Sequence, residues 1–106
     1  MTAIPHIGEV LATEFLEPFG LSQNSLAQAI GVPQNRISEI VSGNRGVSAD
    51  TDLRLCRYFG LTDGYFIGIQ SDLERIRTKK AIAKELAHII PHSNNNRPSE
   101  NFQRRI

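Results

Sequence analysis

Three observations predict an all-helical fold with one small domain and a helical extension. Apolar residues recur at helical spacing in five successive segments. Each segment is bounded by a glycine or a capping hydroxyl. No alternating run and no hairpin dipeptide between apolar segments marks a strand.

The first helix is expected from about Gly8 to Leu16, with Val10, Leu11, Phe15 and Phe19 at helical spacing and Pro18 and Gly20 ending it. Ser22 caps a second helix, Gln23 to Ile30, whose apolar face is Leu26, Ala27 and Ile30. Gly31 stops it in the left-handed conformation. A third helix starts near Pro33 or Gln34 and runs to about Ser42, with Ile37, Ile40 and Val41 as its buried stripe and Gly43 as its end. Ser48 caps a fourth, with Asp50 and Asp52 placed to favour its first turn. Leu53, Leu55, Cys56 and Phe59 supply its apolar positions, and Gly60 ends it.

Thr62 is expected to cap a fifth helix carrying Tyr65, Phe66, Ile69, Leu73 and Ile76. Beyond it, Ile69, Leu73, Ile76, Lys80, Ala83, Ala87 and Ile90 form a near-heptad that Lys80 interrupts and Pro91 ends. The organisation read from this is a domain over residues 1–70, a helical extension over 71–90 and a flexible tail over 91–106, where asparagine and proline replace apolar residues.

Several classes of protein are disfavoured at once. No apolar run approaches the roughly 20 residues that cross a bilayer. Met1 to Gly8 has neither a basic start nor an apolar stretch, so no signal peptide is expected. Cys56 is the single cysteine, which suits a reduced, cytoplasmic setting and a small core residue. Nothing resembles a catalytic triad, a P-loop or a dinucleotide fingerprint, so no enzyme and no cofactor is expected. His88 and His92 have a spacing that suits a metal on a helix, but Pro91 lies between them and no third ligand is near, so no metal is expected.

The net charge of +1 conceals an uneven distribution. Residues 1–60 hold four arginines against six carboxylates, while residues 61–106 hold eight cations against five. A nucleic-acid reader with an acidic domain cannot rely on bulk attraction. It needs locally placed cations and two copies acting together.

The segment from Gln23 to Ser42 is two short helices joined by a turn at Gly31. Ala27 is small where the helices approach, and Gly31 permits positive φ. The second of these helices opens with Gln34, Asn35 and Arg36 on its outer side, with Glu39 a turn later. Amides match adenine and a guanidinium matches guanine in the major groove. Glu39 either accepts from cytosine or orients Arg36. A plain pair of core helices has no need of Gln-Asn-Arg on its outer face.

This pattern of Gln23, Ala27, Gly31, Val32, Ile37 and Ile40 resembles the helix-turn-helix of phage-repressor-like regulators of the Xre and Cro type. Three further stretches resemble the HigA family of antitoxins, sometimes labelled virulence-associated protein I. They are His6 to Leu11, Glu14 to Ser22 and Gly31 to Thr51. The similarity runs from about Pro5 to Gln70, with Ile7 standing where the family usually has proline. It implies a phage-repressor-like five-helix domain in a dimeric antitoxin. Such a protein binds duplex DNA at a palindromic operator, represses its own operon and neutralises a small ribonuclease toxin. Two other functions stay open: a stand-alone transcription regulator, and a protein-interaction module that lost DNA binding.

On this reading Gln34, Asn35, Arg36 and Glu39 read bases, and Gln23, Asn44 and Arg45 contact phosphates. Tyr65, Phe66 and Ile69 are the candidate homodimer face, with the near-heptad left for another partner. Arg54 and Arg57 are expected to be surface residues. The basic run Arg75, Arg77, Lys79, Lys80 and Lys84 is expected to be a solvated face, and His6 a cap or surface residue.

Overall fold

The computed structural model describes residues 4–92, which hold helices and no strand. The first rod, α1, is continuous from Ile7–Leu11 through a π turn at Ala12–Leu16 to Glu17–Phe19. It is followed by α2 (Gln23–Ile30), α3 (Gln34–Ser42), α4 (Ala49–Phe59), α5 (Tyr65–Ala81) and α6 (Ala83–Ala87).

His6 starts α1. Its Nδ1 accepts from the Gly8 and Glu9 backbone N–H groups at 3.0 and 3.3 Å, and Glu9 Oε1 reaches back to the His6 N–H at 3.1 Å. Pro18 does not end this helix as expected. The Glu17 N–H donates five residues back to the Ala12 carbonyl. That widened turn gives the chain room for a ring that otherwise clashes with the carbonyl four residues earlier. The rod ends at Gly20, whose φ is 62°.

The next two helices follow the expected limits. Ser22 caps α2 through the Ser25 N–H at 3.0 Å. Gly31 and Gly43 close α2 and α3 with φ of 74° and 87°. Ser48 caps α4 through the Thr51 N–H at 3.3 Å.

The start of α5 is built differently from the expectation. Thr62 provides no side-chain cap, and the cap position is Gly64. The orphan N–H groups are taken instead by Asp52, which belongs to α4. Its Oδ2 accepts from Gly64 N at 2.7 Å, and its Oδ1 from Phe66 N at 2.9 Å and Ile67 N at 3.0 Å. Asp52 is 2% exposed and, from the first turn of α4 where it was expected, it joins two helices. A buried carboxylate is tolerated because three N–H donors replace its water.

The core lies among α1, α2, α3, α4 and the first turn of α5, with Leu11, Leu26, Ile37, Ile40, Leu55 and Phe66 fully buried. Phe15 centres an aromatic cluster, 4.8 Å from Phe59 and 5.1 Å from Phe66 between ring centroids. Cys56 is buried and free. Leu53 and Phe19, expected among the apolar positions, are 49% and 59% exposed. Leu53 lies beside the buried Asp52 on a turn whose inward positions are Thr51, Asp52, Leu55 and Cys56.

Gly8 controls how α1 meets α3. A Cβ there would coincide with the Ile40 carbonyl oxygen and lie 2.8 Å from Val41 Cα, so the two backbones touch at this point.

The long helix α5 passes position 70 without a break. It ends at Ile82, whose φ of −112° and ψ of 28° leave the helical region, so the near-heptad divides between α5 and α6, and Ile90 lies beyond the end of α6 at Ala87. Beyond residue 92 the expected tail lies outside the described residues. Among the described residues no helix is long and apolar enough to cross a membrane.

Candidate nucleic-acid interface

Helices α2 and α3 form the expected two-helix unit, joined by the left-handed Gly31. Leu26, Ala27, Ile30, Ile37 and Ile40 are buried between them and the rest of the core. Val32 is half-buried and its N–H donates to the Ala27 carbonyl at 3.0 Å, which fixes the direction of the turn. Burial of one face of α3 leaves the opposite face outward. Gln34 and Asn35 are exposed in its first turn, and Ser38 is half-buried one turn on.

Arg54 holds the turn from outside. Its Nη1 donates to the Ile30 carbonyl at 2.8 Å and to the Gly31 carbonyl at 3.3 Å, while its Nε donates to Asp50 Oδ1 at 2.8 Å. Arg54 is a surface residue, as expected, and it also satisfies two of the carbonyls that α2 leaves at its end. No local signal announces this, because its partners are more than twenty residues away.

The charged candidates are each paired. Arg36 is tied to Asp50, Nη1 to Oδ1 at 3.0 Å, with its side chain 29% exposed. Glu39 does not orient Arg36. Its Oε1 accepts from Arg45, from Nε and from Nη2, both at 2.8 Å. The Asn44 and Arg45 backbone N–H groups also donate to the Glu39 carbonyl, at 2.9 and 3.2 Å, so the loop after α3 is folded onto its last turn. Gln23 is half-buried at the first position of α2.

The three residues assigned to a dimer face do not form one surface. Tyr65 is 40% exposed and Ile69 is half-buried, but Phe66 is fully inside the core. The reason is the start of α5: Asp52 binds the Phe66 N–H and draws that turn against α4. Exposed apolar side chains are found further along, at Ile76, Ile82, Leu86, Ile89 and Ile90. Among the described residues no group of three histidine, cysteine or acidic side chains is arranged to hold a metal.

A buried helix pair with a glycine turn, whose second helix turns a polar face outward, defines a regulator domain of the helix-turn-helix class. The helix-turn-helix family model matches residues 14–66. Virulence-associated protein I of Dichelobacter nodosus is 56% identical over 55 residues, which is 52% of this chain and 51% of that protein. The chain thus matches about half the length of that relative. Antitoxin HigA-1 of Vibrio cholerae is 31% identical over 80% of each chain. The solved structure of Pseudomonas aeruginosa antitoxin HigA with the higBA promoter superposes with a TM-score of 0.75 at 35% identity, covering 84% of this chain and 97% of that one. The chain belongs to the HigA antitoxin family, with an Xre-like helix-turn-helix.

Proposed function

We propose that the protein is a cytoplasmic, non-enzymatic antitoxin. It binds a palindromic operator as a homodimer, represses its own operon and neutralises a partner ribonuclease toxin. The observation that carries DNA binding is the outer face of α3, where Gln34 and Asn35 stand free in the first turn while the other side of the helix is locked in the core. A rigid helix with amides at its start suits the major groove. The HigA relative was solved with promoter DNA.

In this reading Gln34, Asn35, Arg36 and Glu39 face bases, and Gln23, Asn44 and Arg45 contact phosphates. Residues 1–70 are the reading domain and 71–90 the extension. The exposed Ile82, Leu86, Ile89 and Ile90 supply apolar surface for a second protein.

The test is anisotropy of a labelled duplex taken from upstream of the protein's own gene, competed by random duplex of the same length. Operator binding that resists random competitor is expected, at an apparent stoichiometry of two chains per palindrome. Equal competition by random DNA would favour a protein-interaction module. Operator binding with no capture of the neighbouring gene's product would favour a stand-alone regulator.

A further inference from the structure

We propose that Asp50 is a positioning residue for Arg36. It holds the guanidinium at the start of the recognition helix so that the group meets a base edge rather than a phosphate. This rests on the DNA-reading role proposed above and adds to it a residue that reads nothing itself.

Asp50 lies in the first turn of α4, and one of its oxygens serves two arginines. Oδ1 accepts from Arg36 Nη1 at 3.0 Å and from Arg54 Nε at 2.8 Å. Arg54 reaches the other way, to the Ile30 and Gly31 carbonyls. A chain of contacts therefore runs from the turn of the helix-turn-helix, through Arg54 and Asp50, to Arg36 in the first turn of α3.

The two arginines depend on Asp50 unequally. Arg54 keeps its carbonyl partners if the carboxylate is neutralised. Arg36 has no other side-chain hydrogen-bond partner among the described residues. Loss of the carboxylate leaves the turn clamped and frees Arg36.

A free arginine on a DNA-facing surface finds phosphate more often than a base. Phosphates line both edges of the groove, and their contacts are indifferent to sequence. A guanidinium held through Nη1 by a carboxylate has fewer orientations open to it, and its remaining N–H groups stay free to donate elsewhere. Bidentate recognition of guanine needs planar alignment. Asp50 also carries a negative charge close to the expected path of the backbone, so neutralising it strengthens binding to any DNA for that reason alone. The test must separate these two effects.

Wild type, Asp50→Asn, Arg36→Ala and the double variant are compared on operator and random duplexes over a range of salt. Asp50→Asn should lower the operator-to-random affinity ratio about tenfold, the scale of one good base contact. It should steepen the salt slope on random DNA by about one. The fall in the ratio should vanish in the Arg36→Ala background, while the gain on any DNA that comes from the lost charge alone should persist. Asp50→Glu, which keeps a carboxylate within reach of Arg36, should restore the ratio. An unmoved ratio in Asp50→Asn, or the same fall with Arg36 removed, overturns the proposal and reduces Asp50 to bulk charge. Wild type that binds both duplexes alike defeats the DNA-reading role itself, which is a different failure. Melting curves without DNA accompany each variant. If Asp50→Asn unfolds at the assay temperature, Asp50→Ser, which keeps a helix-start hydroxyl but no carboxylate, is compared with Arg36→Ala/Asp50→Ser in its place, and the same fall in ratio with and without Arg36 overturns the proposal.

Discussion

Between Ile7 and Phe66 thirteen hydrophobic side chains are buried, and between Ile67 and His92 none is. The two regions use similar residues. Leu26 and Ile37 are fully covered, while Leu86 and Ile89 are 40% and 66% exposed. What separates them is the number of neighbours that topology provides. Helices α1 to α4 surround one another and the first turn of α5. The second half of α5 and all of α6 run out past the end of that cluster. The first region contains within itself the partners its apolar face needs. The second presents an apolar face that is buried only when something else arrives. In the proposed function the first region is the DNA reader and the second the surface for a partner.

Charge pairs occur in both regions. Three of the four arginines in residues 1–60 are tied to carboxylates: Arg36 and Arg54 to Asp50, and Arg45 to Glu39. In the extension, Arg75 pairs with Asp72 on the same helix, and Arg77 donates to the Pro5 carbonyl at 2.9 Å. Exposed pairs of this kind contribute about 0–1 kcal/mol each to stability. In the proposed function the value of the Arg36–Asp50 pair lies in orientation.

The largest effect that sharpens the comparison is expected at Phe66. Phe66→Ala removes a ring that is fully enclosed by Phe15, Phe59 and Tyr65, and should cost about 4 kcal/mol of folding stability. Urea denaturation at two protein concentrations checks it. A large loss that is independent of concentration places Phe66 in the domain core. A small, concentration-dependent loss would return it to a dimer face and break the boundary drawn here.

Gly8→Ala tests the same region by overfilling it. The new methyl meets the Ile40 carbonyl and the Val41 backbone, neither of which can rotate away, so α1 and α3 must separate. A cost of about 3 kcal/mol is expected. Because α3 is the proposed reading helix, operator affinity should fall even below the melting transition. Full operator affinity in a protein that melts like wild type would show that the two helices are not in register as described.

How much of this was legible depends on how far a residue's partners lie along the chain. Gly31, Gly43, Ser22 and Ser48 act on neighbours within a few positions, and their roles follow from local rules. Pro18 obeys a local rule too, but the π turn ahead of it suspends that rule. Asp52 lies in the first turn of α4 as expected, but its tie to α5 was not legible because its donors lie 12 to 15 residues away, nor was the tie of Arg36 to Asp50, 14 residues on. The i+3 spacing of Arg36 and Glu39 suggested a pair, yet Glu39 turns to Arg45 beyond the helix end. Gly8 carried a signal that was passed over. A glycine inside the first turn of a helix, where it weakens the helix, usually marks a close backbone approach. The candidate reading face was legible because its residue types are unusual for a helix surface. How its charges are held was not, because each tie crosses from one element to another.

The smallest expected effect comes from the extension. Ile82→Ser and Leu86→Ser together replace two apolar side chains that are 38% and 40% exposed. Neither lies in the core cluster, so the isolated fold should lose no more than about 0.5 kcal/mol, the range of ordinary surface substitutions. If the extension is the partner surface, the loss appears elsewhere. A self-association equilibrium would shift in sedimentation, or capture of the neighbouring gene's product would weaken, while the melting of dilute protein stays put. The two readouts also separate the possible partners, because a homodimer contact changes the mass of the protein alone and a toxin contact does not. A large drop in the melting temperature of dilute protein would mean that α6 folds back onto the core. The contrast between a self-sufficient reader and an unpartnered extension would then fail, because both regions would belong to one cooperative unit.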